Sequence, residues 1–360
     1  MKRILLFTDS LGAGGAQRQL VGLAVMMQEK GYDVKVCTYH EIDFYKSCLD
    51  DNHVPNVIIP NASSAKRRIL AVRNFFKKES PDWVIAYQET PSLIACAAKL
   101  LGCDYNLIVS ERNTTQHVSM NERVRFFLYH WADAIVPNSY AQEKWLIGHH
   151  SWMKPKLQTI TNFVDTNTFV PVEHVRRDIP EILVAATIWA SKNTLGLIEA
   201  ISIIKEKKIK CHFSWYGKSE SDIEYYNQCE QLIDKLGVND YIDLLPKTKE
   251  IHVKYQEADY FCLPSFYEGT PNVLCEAISC GLPVMVSDVC DNPMYAQPDI
   301  NGVLFDPNNP KEMADKIASL LEQNEDQYNT CRINSRKIAE EKLSQNVFIE
   351  KYLKLLESKE

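Results

Sequence analysis

The stretch PSFYEGTPNVLCEAISCGLPVMVSD carries two carboxylates, Glu268 and Glu276, eight residues apart. On one unbroken helix they would sit ~80° apart. The residues between them argue for a break instead. Pro271 suits a first helical turn, where its missing N–H costs nothing, and Thr270 is a natural N-cap. Glu276 then lies in the second turn and Glu268 in the loop before it. The pair brackets a helix N-terminus, where amides without helical partners and the positive end of the dipole can hold an anion. Gly269 lets a ligand approach the backbone closely. Carboxylates accept hydrogen bonds from vicinal hydroxyls, so the whole suits a ligand with both phosphate and sugar. Acids placed there simply to complement the dipole are the alternative reading.

The surrounding sequence must supply the strands that hold this turn in place. Short apolar runs alternate with amphipathic segments: RILLFT, DVKVCTY, DWVIAY, NLIVSE and DAIVPNS, then EILVAAT, CHFSWYG, YIDLLP, DYFCLPS and GLPVMVSD. Such alternation predicts parallel sheets flanked by helices. Two series predict two doubly wound α/β domains, with ligands at the carboxyl ends of the strands. DTNTFVPVEHVRRDIP, rich in Pro, Asn and charge, reads as the linker. The expected division is an N-terminal domain over 1–170, a C-terminal domain over 171–345 and a final helix over 346–360 that packs back toward the first.

A chain of 360 residues with 45% hydrophobic and 24% charged content fits an ordinary globular protein of two domains. No apolar run reaches the ~18 residues of a membrane span, and the start is too short in apolar residues for a signal peptide. The eleven cysteines are scattered, with no C-x-x-C pair, and read as reduced core residues of a cytoplasmic protein. No Cys/His cluster has metal-ligand spacing. A net charge of −7 argues against nucleic-acid binding. Against that background, residues 61–80 hold six basic residues and one acid, interleaved with apolar ones. This is a basic amphipathic helix, suited to a membrane surface or to the face of a sheet.

The order of these segments resembles the retaining glycosyltransferases of family 4, which have the GT-B fold. EGTPNVLCE has the family's E-x7-E shape, and DSLGAGGAQRQLVGLA, SERNTTQ, DAIVPNSYAQEKWL, TITNFVDTNTFVP, ATIWASKNTLGLIEAI, ADYFCLPSFYEG and INGVLFDP follow in the family's order. The resemblance implies two Rossmann-like domains facing a cleft and transfer of a sugar from a nucleotide sugar. It implies that Glu276 holds the ribose hydroxyls and that Glu268 acts at the reacting centre. Gly269, Thr270, Asn272, Val273 and Leu274 would line the donor. Lys192 would meet the charge that grows on the departing diphosphate, so that no metal or other cofactor is expected. The family usually has an Arg five residues before that lysine, where Thr187 stands here.

Gly14 and Gly15 follow the first strand and, by resemblance, face donor phosphates or acceptor. A dinucleotide fingerprint would need glycine at Gln17, which disfavours a dehydrogenase. Glu111, Arg112 and His117 are the candidates for acceptor contact. The expected activity is retaining transfer, with a UDP-sugar preferred, to a saccharide that is lipid-linked, for surface polysaccharide. The protein would be cytoplasmic and peripheral at the membrane through residues 61–80. A nucleotide-sugar epimerase and a non-catalytic nucleotide-sugar-binding assembly partner are the rival readings.

Overall fold

The computed structural model describes residues 2–112, 115, 119–218 and 222–358, with the side chain of Lys66 outside the description. The chain divides into two units, residues 1–161 with 348–360, and residues 162–347.

The first unit is built on β1 (Arg3–Phe7), β2 (Asp33–Thr38), β3 (Asn56–Ile58), β4 (Trp83–Tyr87), β5 (Asn106–Glu111) and β6 (Ala134–Pro137). The strands form one sheet in the order β3-β2-β1-β4-β5-β6, parallel throughout. Ile4 to Phe7 and Val84 to Tyr87 are all 0% exposed. Burial on both faces explains why these strands read as unbroken apolar runs rather than alternating ones. The start of the final helix, Gln345–Glu357, lies in the second unit, and the rest belongs to the first, where the Tyr352 and Tyr87 hydroxyls meet at 2.8 Å.

The second unit repeats the plan with β7 (Glu181–Ala185), β8 (His212–Lys218), β9 (Ile242–Pro246), β10 (Tyr260–Leu263), β11 (Val284–Ser287) and β12 (Gly302–Phe305). Its order is β12-β11-β10-β7-β8-β9, again parallel. Each sheet thus has the doubly wound order, and each has one place where the chain reverses its direction of travel across the sheet. In the first unit that place lies between β1 and β4. In the second it lies between β7 and β10. Neighbouring helices leave to opposite faces there, which opens a crevice at the carboxyl ends of the two strands.

Two edge strands, β3 and β12, were not anticipated. They are short and only partly buried, whereas the four-residue strands β6, β10 and β11, which the apolar runs did mark, are buried throughout. The helix after β10 also begins one residue later than expected. It spans Asn272–Ser279, and Pro271 is its N-cap with an extended ψ of 115°. Pro271 therefore precedes the first turn instead of occupying it, and Thr270 stands outside the cap position.

Candidate functional site

The second unit brings Lys192 and Glu268 into contact at its reversal point. Lys192 Nζ lies 2.6 Å from Glu268 Oε1. Both are largely but not wholly covered, at 23% and 11% side-chain exposure, so the pair is reachable from solvent. The lysine comes from the loop after β7 and the glutamate from the loop after β10. Ser265 Oγ donates to the same Glu268 oxygen at 2.7 Å. The Ser265 carbonyl in turn accepts from Ser287 Oγ at 2.6 Å, and the Ser287 carbonyl from Asn292 Nδ2 at 3.0 Å. The end of β11 thereby braces the turn that carries Glu268.

The Lys192 loop is fixed with equal care. Leaving β7, the chain stays bonded to β8: Ala186 N donates to Tyr216 O and Ile188 N to Gly217 O, both at 3.2 Å. Gly217 permits this approach, since a Cβ there would lie 1.7 Å from the Ala186 carbonyl oxygen. A single 3-10 turn, Ala190–Lys192, then presents the lysine. Asn193 ends it in the left-handed region at φ 59°, ψ 41°, a conformation asparagine tolerates better than most residues. Its buried amide donates to Pro264 O at 3.2 Å and Pro307 O at 2.8 Å. Phe266 N donates to Ser191 O at 3.0 Å, which ties the Lys192 loop to the Glu268 loop.

Around the helix start, Gly269, Asn272 and Val273 are half-buried, while Thr270 and Leu274 are buried. Asn162 locks the turn: its Nδ2 donates to Thr270 O at 2.9 Å and to Asn272 Oδ1 at 2.8 Å. The Leu274 amide, expected to serve a ligand, already donates to Pro271 O at 3.1 Å. Glu276 is only 3% exposed, and the fully buried Tyr255 donates its hydroxyl to Glu276 Oε2 at 2.9 Å. The two glutamates thus differ in setting. Glu268 is braced at the crevice, whereas Glu276 is held inside the first turns of the helix. Cys290, in the loop after β11, has its thiol pushed up from its ordinary range by burial first, with Asp291 and Glu268 adding to the effect and a hydrogen bond from the Glu268 backbone offsetting part of it.

Gly14 and Gly15 lie in the first unit, as N-cap and first residue of the helix Gly15–Glu29. Gln17 folds back over Gly14 and donates to Asp9 Oδ1 at 3.0 Å. Glu111 and Arg112 are placed inside the fold and not on an open acceptor face. Glu111 is 1% exposed, pairs with Arg125 at 3.3 Å and accepts the Tyr129 hydroxyl. Burial raises its carboxyl from the ordinary value, partly offset by Arg125 and Tyr129. The Arg112 guanidinium lies over the Tyr87 ring, 4.7 Å from its centroid, and donates to Ser110 Oγ. His117 lies outside the described residues.

The basic segment forms the helix Ala65–Glu79. Val72 and Phe76 are buried beneath it. Arg68 donates to the Ala62 and Ser63 carbonyls and covers Tyr39, and Arg73 donates to Leu101 O. Those two arginines fasten the helix to its own unit, leaving Arg67, Lys77 and Lys78 exposed.

Two family models divide this chain between them. Glycosyltransferase Family 4 matches residues 13–168, and Glycosyl transferases group 1 matches residues 167–338, the part that contains Lys192, Glu268 and Glu276. The chain belongs to the family 4 glycosyltransferases. An uncharacterized glycosyltransferase of Haemophilus influenzae is 24% identical to this one over 95% of the chain and 96% of its own length. The N-acetylgalactosamine-N,N'-diacetylbacillosaminyl-diphospho-undecaprenol 4-alpha-N-acetylgalactosaminyltransferase of Campylobacter jejuni is 23% identical over 89% of this glycosyltransferase and 91% of itself. Among solved structures, Anabaena HepE in complex with UDP and glucose superposes with a TM-score of 0.85 at 18% identity, covering 99% of this chain and all of that one. That likeness is one of fold, and the fold is GT-B. Among the described residues, no helix of this glycosyltransferase is long and apolar enough to cross a membrane.

Proposed function

We propose that this protein transfers a sugar from a UDP-sugar to a saccharide acceptor carried on a lipid diphosphate, with retention at the anomeric carbon, in the assembly of a surface polysaccharide. The observation that carries the reading is the contact of Lys192 with Glu268 at the β7/β10 crevice, beside a helix N-terminus. In the reaction, the bond between the anomeric carbon and the diphosphate oxygen breaks, and an acceptor hydroxyl oxygen takes its place on the same face. The hydroxyl proton passes to the departing diphosphate. Negative charge grows on that diphosphate as the bond breaks, and a fixed ammonium group beside it lowers the barrier. Lys192 supplies that charge, so the proposed reaction needs no metal or other cofactor. Glu268 contacts the donor sugar and steadies the positive charge that develops at its anomeric carbon. Glu276 takes the ribose hydroxyls.

UDP is the proposed nucleotide because HepE holds it in the same fold. The lipid-linked acceptor is proposed from the name of the Campylobacter jejuni relative. The protein would act as a peripheral protein on the cytoplasmic membrane face, with Arg67, Lys77 and Lys78 toward anionic lipid. Replacing those three by serine should weaken sedimentation with phosphatidylglycerol liposomes, and unchanged sedimentation would remove the membrane part of the proposal.

Incubation with UDP-N-acetylgalactosamine, UDP-N-acetylglucosamine or UDP-galactose and a short-chain polyprenyl diphosphate sugar tests the transfer. A product one sugar heavier, with an α linkage by NMR, is expected. A nucleotide sugar converted to its epimer without acceptor would indicate the epimerase, and nucleotide binding with no turnover would indicate a binding partner.

A further inference from the structure

The reversal point of the first sheet carries a residue in a backbone conformation that its side chain disfavours. Gln88, the residue after β4, has φ 76° and ψ 169°. Other non-glycine residues with positive φ, such as Ser80 and Asn193, lie in the left-handed helical region. Gln88 lies instead in a region that only glycine enters readily, and such strain persists where surrounding contacts enforce it and clusters at ligand sites. The enforcing contacts are visible. Gln88 N donates to Ser110 O at 3.1 Å, and Gln88 O accepts from Ser92 N at 3.1 Å. Thr8 Oγ1, at the end of β1, donates to Gln88 Oε1 at 3.1 Å. The side chain therefore bridges β4 to β1, the two strands between which the sheet order reverses.

This leaves the Gln88 Nε2 group without a hydrogen-bond partner among the described residues, on a half-buried side chain. The Thr8 hydroxyl also approaches Asp9 Oδ1 at 3.4 Å, and Asp9 is half-buried and held by Ser10 N at 2.6 Å and Gln17 Nε2 at 3.0 Å. Along the same edge, at the ends of β2 and β3, a cavity of about 400 Å³ is lined by Leu11, Thr38, His40, Ile42, Asn56 and Ile58. Glu41, Asp43 and Lys46 also line it, so polar and charged groups stand among apolar ones, a mixture that suits a sugar ring and its hydroxyls. The second unit uses the corresponding point of its own sheet for Lys192 and Glu268.

We propose that Gln88 is an acceptor-binding residue, its carboxamide nitrogen donating to an oxygen of the saccharide acceptor at the β1/β4 crevice, with the neighbouring cavity receiving the acceptor's further sugars. This rests on the transferase reading above. Glycine at position 88 relieves the strain and removes the donor group, so stability and activity move in opposite directions.

The experiment compares wild type with Gln88→Gly and Gln88→Glu. Thermal unfolding is measured with and without UDP. Transfer is measured with a short-chain polyprenyl diphosphate N-acetylgalactosamine and the three UDP-sugars named above. For Gln88→Gly the expected result is a Tm higher by roughly 2–4 °C, an unchanged shift with UDP, and an acceptor KM raised at least about tenfold. Gln88→Glu, which keeps the size but presents oxygens only, is expected to show the same KM defect. A lower Tm in Gln88→Gly overturns the proposal whatever the substrates. Wild type that transfers, alongside Gln88→Gly with an unchanged acceptor KM, overturns the proposal alone. Wild type that shifts with UDP yet transfers nothing overturns the transferase reading, and the proposal falls with it.

Discussion

Lys192 Nζ and Glu268 Oε1 lie 2.6 Å apart across the two strands where the second sheet reverses its order. The pair gives the two side chains opposite effects on an anionic ligand. Lys192 attracts it, and Glu268 both repels it and occupies the lysine. Glu268→Gln should therefore keep or strengthen UDP binding while lowering transfer by about 10²-fold or more. Calorimetric titration with UDP beside a transfer assay checks the split. A parallel loss of both would mean that Glu268 serves only to place the lysine.

Gly217 is the clearest test of how the Lys192 loop is held. A methyl group at that position would meet the Ala186 carbonyl at 1.7 Å, backbone against backbone, with no flexible side chain to yield. Gly217→Ala should cost at least about 1–3 kcal/mol, the range for overpacking, and should weaken UDP binding by moving the loop. Urea denaturation and UDP titration measure the two effects, and full stability would refute the packing argument.

Tyr255 donates its hydroxyl to the buried Glu276 carboxylate. Tyr255→Phe removes a hydrogen bond to a charged, buried group, worth about 1.5–3 kcal/mol. Denaturation should show that loss, and UDP affinity should fall with it, since Glu276 is the proposed ribose contact.

Glu111 offers a contrast in which stability is the only readout. Its carboxylate is buried against Arg125, and removing one member of such a pair strands the other charge at about 3–5 kcal/mol. Glu111→Gln should lower the unfolding free energy by that amount, read from urea denaturation, and leave the acceptor KM of the folded fraction unchanged. A raised KM with full stability would restore the acceptor role that the sequence suggested.

His212 gives a pH test outside the site. Its hydrogen bond to Glu181 is the main cause that raises its pKa above the ordinary 6.5, with burial opposing. The native state then holds this proton more tightly than the unfolded chain does. The stabilisation is complete below pH 6.5 and is lost as pH rises through the folded value. His212→Gln should flatten that part of the Tm-versus-pH curve, measured from pH 5.5 to 8.5.

Much of the fold was legible because parallel strands buried on both faces leave apolar runs, as RILLF and WVIAY do. The edge strands β3 and β12 escaped because they are short and only partly buried, so they leave weaker apolar runs than the similarly short but fully buried β6, β10 and β11. At the site, Glu268, Glu276 and Lys192 were visible as residue types in a motif. Their supports were not, since the roles of Asn162, Asn193 and Tyr255 come from contacts distant in sequence. Gly217 did leave a signal, because glycine inside a strand marks a close backbone approach. Gln88 left none: its conformation is imposed by Thr8, Ser92 and Ser110. The cap at Pro271 was misplaced because proline is favoured at a first turn, yet here its ψ is extended.

Calorimetric titration of wild type and Lys192→Ala with UDP tests the central claim most directly. UDP at ~100 times its Kd should also add ~2.7 kcal/mol to wild-type stability, which a thermal shift reports in parallel. The account predicts binding to wild type that Lys192→Ala abolishes. Equal binding by the folded variant, or none by folded wild type, would contradict a donor site built on the Lys192–Glu268 pair.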